Sequence, residues 1–119
     1  MIVATVKLRG LDGKRREILQ TISGLTDQVK LLNGCLGVRS FQDIDDRNTF
    51  YHVEEWQTQQ DLDYFLNSKL FSALLGLGVI LVEKPTVEFM TTENVALDEK
   101  DAVQSFMVKL KEDNEESDE

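Results

Sequence analysis

Four segments of the chain alternate apolar and polar residues with a period of two, and three others repeat apolar residues every three or four positions. The first alternation runs from Ile2 to Arg9, with Ile2, Ala4, Val6 and Leu8 on one side and Thr5, Lys7 and Arg9 on the other. That pattern predicts a strand with one buried face. Gly10 to Gly13 breaks it, and Asp12 is placed to cap the helix that follows. From Lys14 to Leu32 the residues Ile18, Ile22, Leu25, Val29 and Leu32 form one helical stripe, opposed by Arg15, Arg16, Gln20, Asp27 and Lys30. Gly24 lowers the propensity of this helix by about 1 kcal/mol relative to Ala and predicts close approach of another element. Asn33-Gly34 then ends it in a left-handed turn.

Cys35 to Gln42 and Thr49 to Gln57 read as two further strands, joined through Asp43, Asp45, Asp46, Arg47 and Asn48 as an antiparallel hairpin. In the second of these, Phe50, His52, Glu54 and Trp56 share one face, and Tyr51, Val53 and Glu55 the other. Thr58 with Asp61 three residues on predicts a helix start, carried by Leu62, Phe65 and Leu66. Asn67-Ser68 re-caps a second piece holding Leu70, Phe71, Leu74 and Leu75, so this is one bent helix or two short ones. Gly76 and Gly78 end it, Val79 to Val82 lead to Pro85, and Thr86 to Thr92 is the last strand, with Val87 and Phe89 opposite Glu88.

Strand, helix, strand, strand, helix, strand is the α+β ferredoxin-like plan βαββαβ: a four-stranded antiparallel sheet with its helices on one face. The other face is left bare, which makes self-association an expectation. This domain is expected over residues 1–92. Beyond it, Asp98 and Asp101 can cap an amphipathic helix with Val103, Phe106, Met107 and Leu110 in one stripe, an extension placed at 93–111. Residues 112–119 hold six acids and no base, two thirds of the net charge of −9, and read as a solvated, disordered tail.

At 119 residues, with 41% apolar and 29% charged positions, the chain has the makings of one soluble domain. The excess of 22 acidic over 13 basic residues leaves no basic stripe for a phosphate backbone, so no nucleic-acid partner is expected. No apolar run is long enough for a membrane span, and MIVATVKLRG lacks the pattern of a signal peptide. One cysteine makes no intrachain disulfide and suits a reducing, cytoplasmic setting.

Candidate chemistry gathers on the third strand. A histidine titrates in the physiological range, so His52 can accept a proton from a phenol-like substrate; it can equally be a hydrogen-bonded residue of the sheet. Trp56 offers a wide apolar wall and one N–H donor, suited to an aromatic ligand or to anchoring sheet against helix. Glu54, on a face meant for the core, needs a partner there, and Arg39 and His52 are within reach. Cys35 reads as a small buried hydrophobe. One His and one Cys make no metal-ligand cluster, and Gly76 and Gly78 lack the Lys-Ser or Lys-Thr of a phosphate loop, so no cofactor is expected.

Asp12-Gly13-Lys14 before the first helix, Asn33-Gly34-Cys35 opening the second strand, Phe50 through Glu54-Glu55-Trp56, and then Leu62, Ser68 and Phe71 together resemble the antibiotic biosynthesis monooxygenase (ABM) domains of the dimeric α+β barrel superfamily. The resemblance covers about residues 1 to 92. It implies a homodimer closed through the bare sheet faces, and a pocket between each sheet and its own helices for a small aromatic molecule. Its members include cofactor-free oxygenases of anthrones or quinols and haem-degrading enzymes. In the anthrone oxygenases an Asn precedes the strand Trp by four residues; Trp56 matches that Trp, and His52 stands at the Asn position. Many relatives carry a His where this chain has Phe65, which cannot ligate iron. The expected site therefore has His52 and Trp56 as catalytic residues and Phe50, Glu54, Phe65 and Arg39 as substrate contacts. The other reading is a non-catalytic module that keeps the barrel to bind a small ligand or a partner protein. Substrate-dependent oxygen uptake that falls with His52→Ala separates the two.

Overall fold

The computed structural model describes residues 1–92; the expected 93–111 helix and 112–119 tail lie outside the described residues. In chain order it contains strand β1 (Ile2–Arg9), helix α1 (Arg15–Val29), strands β2 (Cys35–Gln42) and β3 (Thr49–Trp56), helices α2 (Gln59–Leu66) and α3 (Lys69–Leu75), and strand β4 (Thr86–Thr91). The strands form one antiparallel sheet in the order β2-β3-β1-β4. This is the ferredoxin-like plan, with the second helical segment split in two.

The register follows from the alternation in β1. Its apolar set Ile2, Ala4, Val6 and Leu8 pairs across β3 with Trp56, Glu54, His52 and Phe50, so all eight side chains point to the helix layer. Across the hairpin, Val38 stands opposite Glu54 and Ser40 opposite His52, with a bulge between Cys35 and Gly37. Over this face α1 lays Ile18, Ile22, Leu25 and Val29, all buried. The apolar core has two clusters: Val6, Leu8, Ile18, Phe50 and Leu74 belong to one, and Ile2, Val38, Trp56, Leu62 and Phe65 to the other. On β3, His52 and Glu54 therefore fall between an anchor of each cluster.

Local signals explain where the helices start. Thr58 accepts the Asp61 N–H at 3.1 Å and donates its own hydroxyl to the Asp61 carboxylate at 2.7 Å, the expected cap of α2. Ser68 accepts the Phe71 N–H at 3.4 Å while donating to the Phe65 carbonyl at 2.6 Å, which ends one helix and begins the next. Two short helices, not one bent one, result.

Several expectations are corrected. Asp12 does not cap α1: the capping position is Lys14, and Asp12 instead accepts the Asn48 side-chain N–H at 2.7 Å, tying the β1–α1 turn to the hairpin loop. Gly24 meets no close neighbour, because a Cβ there would point into open space; it costs propensity without serving packing. Helix α1 stops at Val29, before Leu32, and leaves Leu31 87% exposed. Gly34, at φ +80°, then turns the chain into β2 as the sequence suggested. The apolar stretch after α3 continues as a 3-10 turn over Gly76–Ile80, with Leu77 and Leu81 turned into the core.

Candidate functional site

The side chains of β3 that point under the helices make a hydrogen-bonded row. Trp56 donates its indole N–H to one Glu54 oxygen at 3.1 Å, and His52 Nε2 lies 2.8 Å from the other. On the far side of the ring, His52 Nδ1 lies 3.3 Å from Ser40 Oγ, the cross-strand neighbour on β2. Residues two apart on a strand share a face, so this row is a direct product of the period-two pattern. Opposite Glu54 in β1 stands Ala4, the smallest side chain of that face, where a larger residue would crowd the Glu54–His52 contact.

The chemistry of the partners orients the protons. An indole nitrogen only donates, so one carboxylate oxygen of Glu54 is committed as an acceptor. A Glu54 carboxylate then takes the Nε2 proton of His52 as its second bond, which leaves Nδ1 as an acceptor facing the Ser40 hydroxyl. Ser40, His52, Glu54 and Trp56 thus form one connected row from the strand edge to the core, with donors from both sides converging on the Glu54 carboxylate. Glu54, His52 and Trp56 are each at most 1% exposed, and burial without partners would be costly for the first two. Here every polar atom of the three has one.

The sequence-predicted residues divide accordingly. His52, Glu54 and Trp56 come together. Arg39 does not join them: it pairs with Val53 across the hairpin, so it belongs to the opposite sheet face, and Glu54 takes His52 and Trp56 as partners instead. Phe50 and Phe65 are core residues, both 1% exposed. Phe65 stacks on Trp56 with ring centroids 5.2 Å apart and meets Phe71 edge-on at 5.5 Å. Trp56 is packed against Phe65, and His52 is buried with the exposed Ser40 as the partner of its Nδ1. Sequence reasoning passed over Ser40. Its signal was parity with Val38, a hydroxyl at a position where the inward face of β2 calls for an apolar residue.

Grooves lie around this row without containing it. One of about 320 Å³ runs between α1 and β2, with Ser40, Val38, Arg39, Thr26, Asp27 and Lys30 among its lining residues. A roomier one, about 470 Å³, lies between the end of α1 and α2, beside Leu31, Asp61 and Tyr64, and touches no member of the chain. Cys35 donates its thiol to the Gly37 carbonyl at 3.8 Å, and burial pushes that thiol up from its ordinary value, which keeps it protonated and a poor nucleophile. Among the described residues no group of three His, Cys, Asp or Glu side chains is arranged to hold a metal ion, and no helix is long and apolar enough to cross a membrane.

Solved structures share this architecture. One described as an antibiotic biosynthesis monooxygenase aligns over 78% of this chain and 99% of its own, at 21% identity and a TM-score of 0.71. A protein from Deinococcus radiodurans, proposed to be an antibiotic biosynthesis monooxygenase, aligns over 82% of this chain and 97% of its own, at 14% identity and a TM-score of 0.74. A conserved protein of unknown function from Bacteroides thetaiotaomicron aligns over 75% and 92%, at 20% identity and a TM-score of 0.62. At these identities the likeness speaks for the fold alone. No curated protein matches the chain in sequence. The family model named Antibiotic biosynthesis monooxygenase matches residues 1–75, a span that takes in β1, α1, the β2–β3 hairpin with its buried row, and both short helices, and the chain accordingly belongs to the ABM family.

Proposed function

We propose that this protein is a homodimeric, cofactor-independent monooxygenase acting on a small aromatic substrate of the quinol or anthrone type. The observation that carries the reading is the buried Glu54–His52 pair. A carboxylate that holds Nε2–H leaves the opposite nitrogen as a base, and that nitrogen faces the one member of the row near the surface. Removing the proton of an electron-rich hydroxyarene raises the electron density of its ring, and the resulting anion can give an electron to oxygen. For an anthrone-like substrate the balance is simple. A methylene between two rings loses both hydrogens and becomes a carbonyl with one atom of O₂, and the other oxygen atom leaves as water. The substrate is its own reductant, so the protein has to bind, take a proton and exclude water.

In this reading His52 is the base and Glu54 fixes its tautomer. Trp56, fully buried, holds Glu54 in place and is a positioning residue, not a pocket wall.

Oxygen consumption with reduced naphthoquinones and anthrone, measured over the protein-free background, tests it. His52→Gln keeps a hydrogen-bonding side chain without a base, and is expected to lower uptake by about a hundredfold or more, the usual scale for loss of a general base. Uptake that survives the change removes His52 from the mechanism. A non-catalytic ligand-binding module is the second reading, favoured by the close packing of Phe65 on Trp56 where a pocket was expected. It predicts no uptake over background with any of these compounds, and a bound small molecule in native mass spectra.

A further inference from the structure

We propose that Ser40 is the catalytic contact of this protein with its ligand, and that the groove between α1 and the β2 edge is the binding site for a small, acidic hydroxyarene or enol. His52 has both ring nitrogens engaged and is 1% exposed, so no substrate atom reaches it directly. Ser40 lies in the groove and its oxygen is 3.3 Å from Nδ1. A hydroxyl both donates and accepts, so it can pass a proton along a line. The ligand O–H donates to Ser40 Oγ, the Ser40 proton moves to Nδ1, and the ligand proton replaces it on Oγ. The products are a phenolate or enolate in the groove and an imidazolium whose Nε2–H stays on the Glu54 carboxylate.

The groove offers the anion this creates one cation, Lys30, which lines it at the end of α1 together with Asp27. Among the described residues Lys30 has no carboxylate within ion-pair distance. The groove's volume, about 320 Å³, is at the small end of ligand pockets, which fits one or two rings. The proposal deepens the oxygenase reading by naming its substrate contact, but the proton transfer stands without any oxygen chemistry.

The probe is 4-nitrophenol, whose ionised form has its own visible absorption band and so reports proton transfer on binding without turnover. On the full chain, held below the pH at which the free probe ionises, binding is expected to develop the phenolate band. Amide shifts in NMR spectra should gather at Thr26, Asp27, Val38 and Ser40. Ser40→Ala should weaken binding about tenfold, the scale of one hydrogen bond to a charged group, and abolish the band. Lys30→Gln should weaken binding while leaving a fraction of the probe ionised. His52→Gln alters the core, so Ser40→Ala, at an exposed strand position, carries the decision. No binding, shifts gathered instead at Leu31 and Tyr64, or a phenolate band unchanged by Ser40→Ala would each overturn the assignment. If the band behaves as expected and no quinol or anthrone consumes oxygen, the oxygenase reading falls and the Ser40 site stands.

Discussion

At Glu54 the difference between a charged and a neutral acceptor can be separated from the difference between a side chain and none. Glu54→Gln can keep all the contacts: its carbonyl accepts the Trp56 N–H, and its amide donates to His52 Nε2. That donation forces the imidazole proton onto Nδ1, which then donates to Ser40 instead of accepting from it. The expected outcome is a reversed His52 tautomer in ¹⁵N NMR spectra, a stability loss of about 1–2 kcal/mol for the charge-assisted bonds, and oxygen uptake as low as in His52→Gln. Glu54→Ala removes the acceptor and orphans two buried nitrogens, so denaturant unfolding should show a loss of about 2–4 kcal/mol. Glu54's need for a partner was legible from strand parity. Which partner was not, because a one-residue change in hairpin register moves Arg39 from one face to the other, and the register is set by loop geometry that no single residue announces. The same loop carries two carboxyls below their ordinary value of 3.8. Backbone N–H groups of Asp45 and Asp46, and then the Tyr51 hydroxyl, hold Asp43 down; the Thr49 hydroxyl and the Asn48 N–H, then Arg9, do so for Asp46. Groups depressed in the folded state stabilise it above their unfolded pKa, and that contribution is lost as pH falls through the folded values. The stability deficit of Asp46→Asn should therefore be widest near neutral pH and close below about pH 3.8, as followed by thermal unfolding across that range.

The elements were legible where one local signal dominates. Thr58 and Ser68 announced two helix starts, and the alternation of β1 announced a face; each works within a few residues and survives any tertiary context. Asp12 and Gly24 misled for the converse reason. An acid before a helix can serve a loop 36 residues away as well as its own N-terminus, and a glycine in a helix reveals a close approach only if something approaches. The 3-10 turn was hidden because the apolar run from Leu77 to Leu81 contains two inward residues separated by an exposed Val79, a spacing short strands also show. Gly34 is the sharpest test at this scale. Its φ of +80° is left-handed, and a Cβ there would collide with the Asp61 side chain that Thr58 holds. Gly34→Ala therefore strains the backbone and disturbs the cap of α2 together, and should cost about 2–3 kcal/mol in denaturant unfolding, against about 1 kcal/mol for Thr58→Ala alone. Gly24→Ala, with no close neighbour, should stabilise by up to about 1 kcal/mol.

On the scale of the molecule, the two sheet faces are unequal. The helix face is covered by the helices over β1 and β3, while Phe89 of β4, on that same face, is 53% exposed. The other carries Val3, Thr5, Tyr51 and Val53 half-buried at its centre, with Phe41 and Met90 52% and 64% exposed toward its two edges. Four strands about 4.8 Å apart, each up to eight residues long at about 3.3 Å per residue, give a face on the order of 500 Å² in projection. Corrugation by side chains brings this toward the roughly 800 Å² that one partner gives a standard interface, so the sheet alone has little area to spare. The homodimer proposed above should therefore hinge on the centre of the face. Val53 is its best probe, lying on β3 between Thr5 and Arg39 and on the side away from His52. Val53→Arg sets a second guanidinium beside Arg39 and, in a two-fold dimer, brings like charges together across the interface, where desolvation makes them costly. Sedimentation equilibrium should show a dimer for the unaltered chain and at least about a hundredfold weaker association for Val53→Arg, with helix and strand content by circular dichroism unchanged. The phenolate band of bound 4-nitrophenol should persist in that monomer, because Ser40 and Lys30 belong to one chain's own α1–β2 groove. A monomer before substitution would remove the dimer from the proposed function, and loss of the band with the dimer would mean the groove needs a second chain.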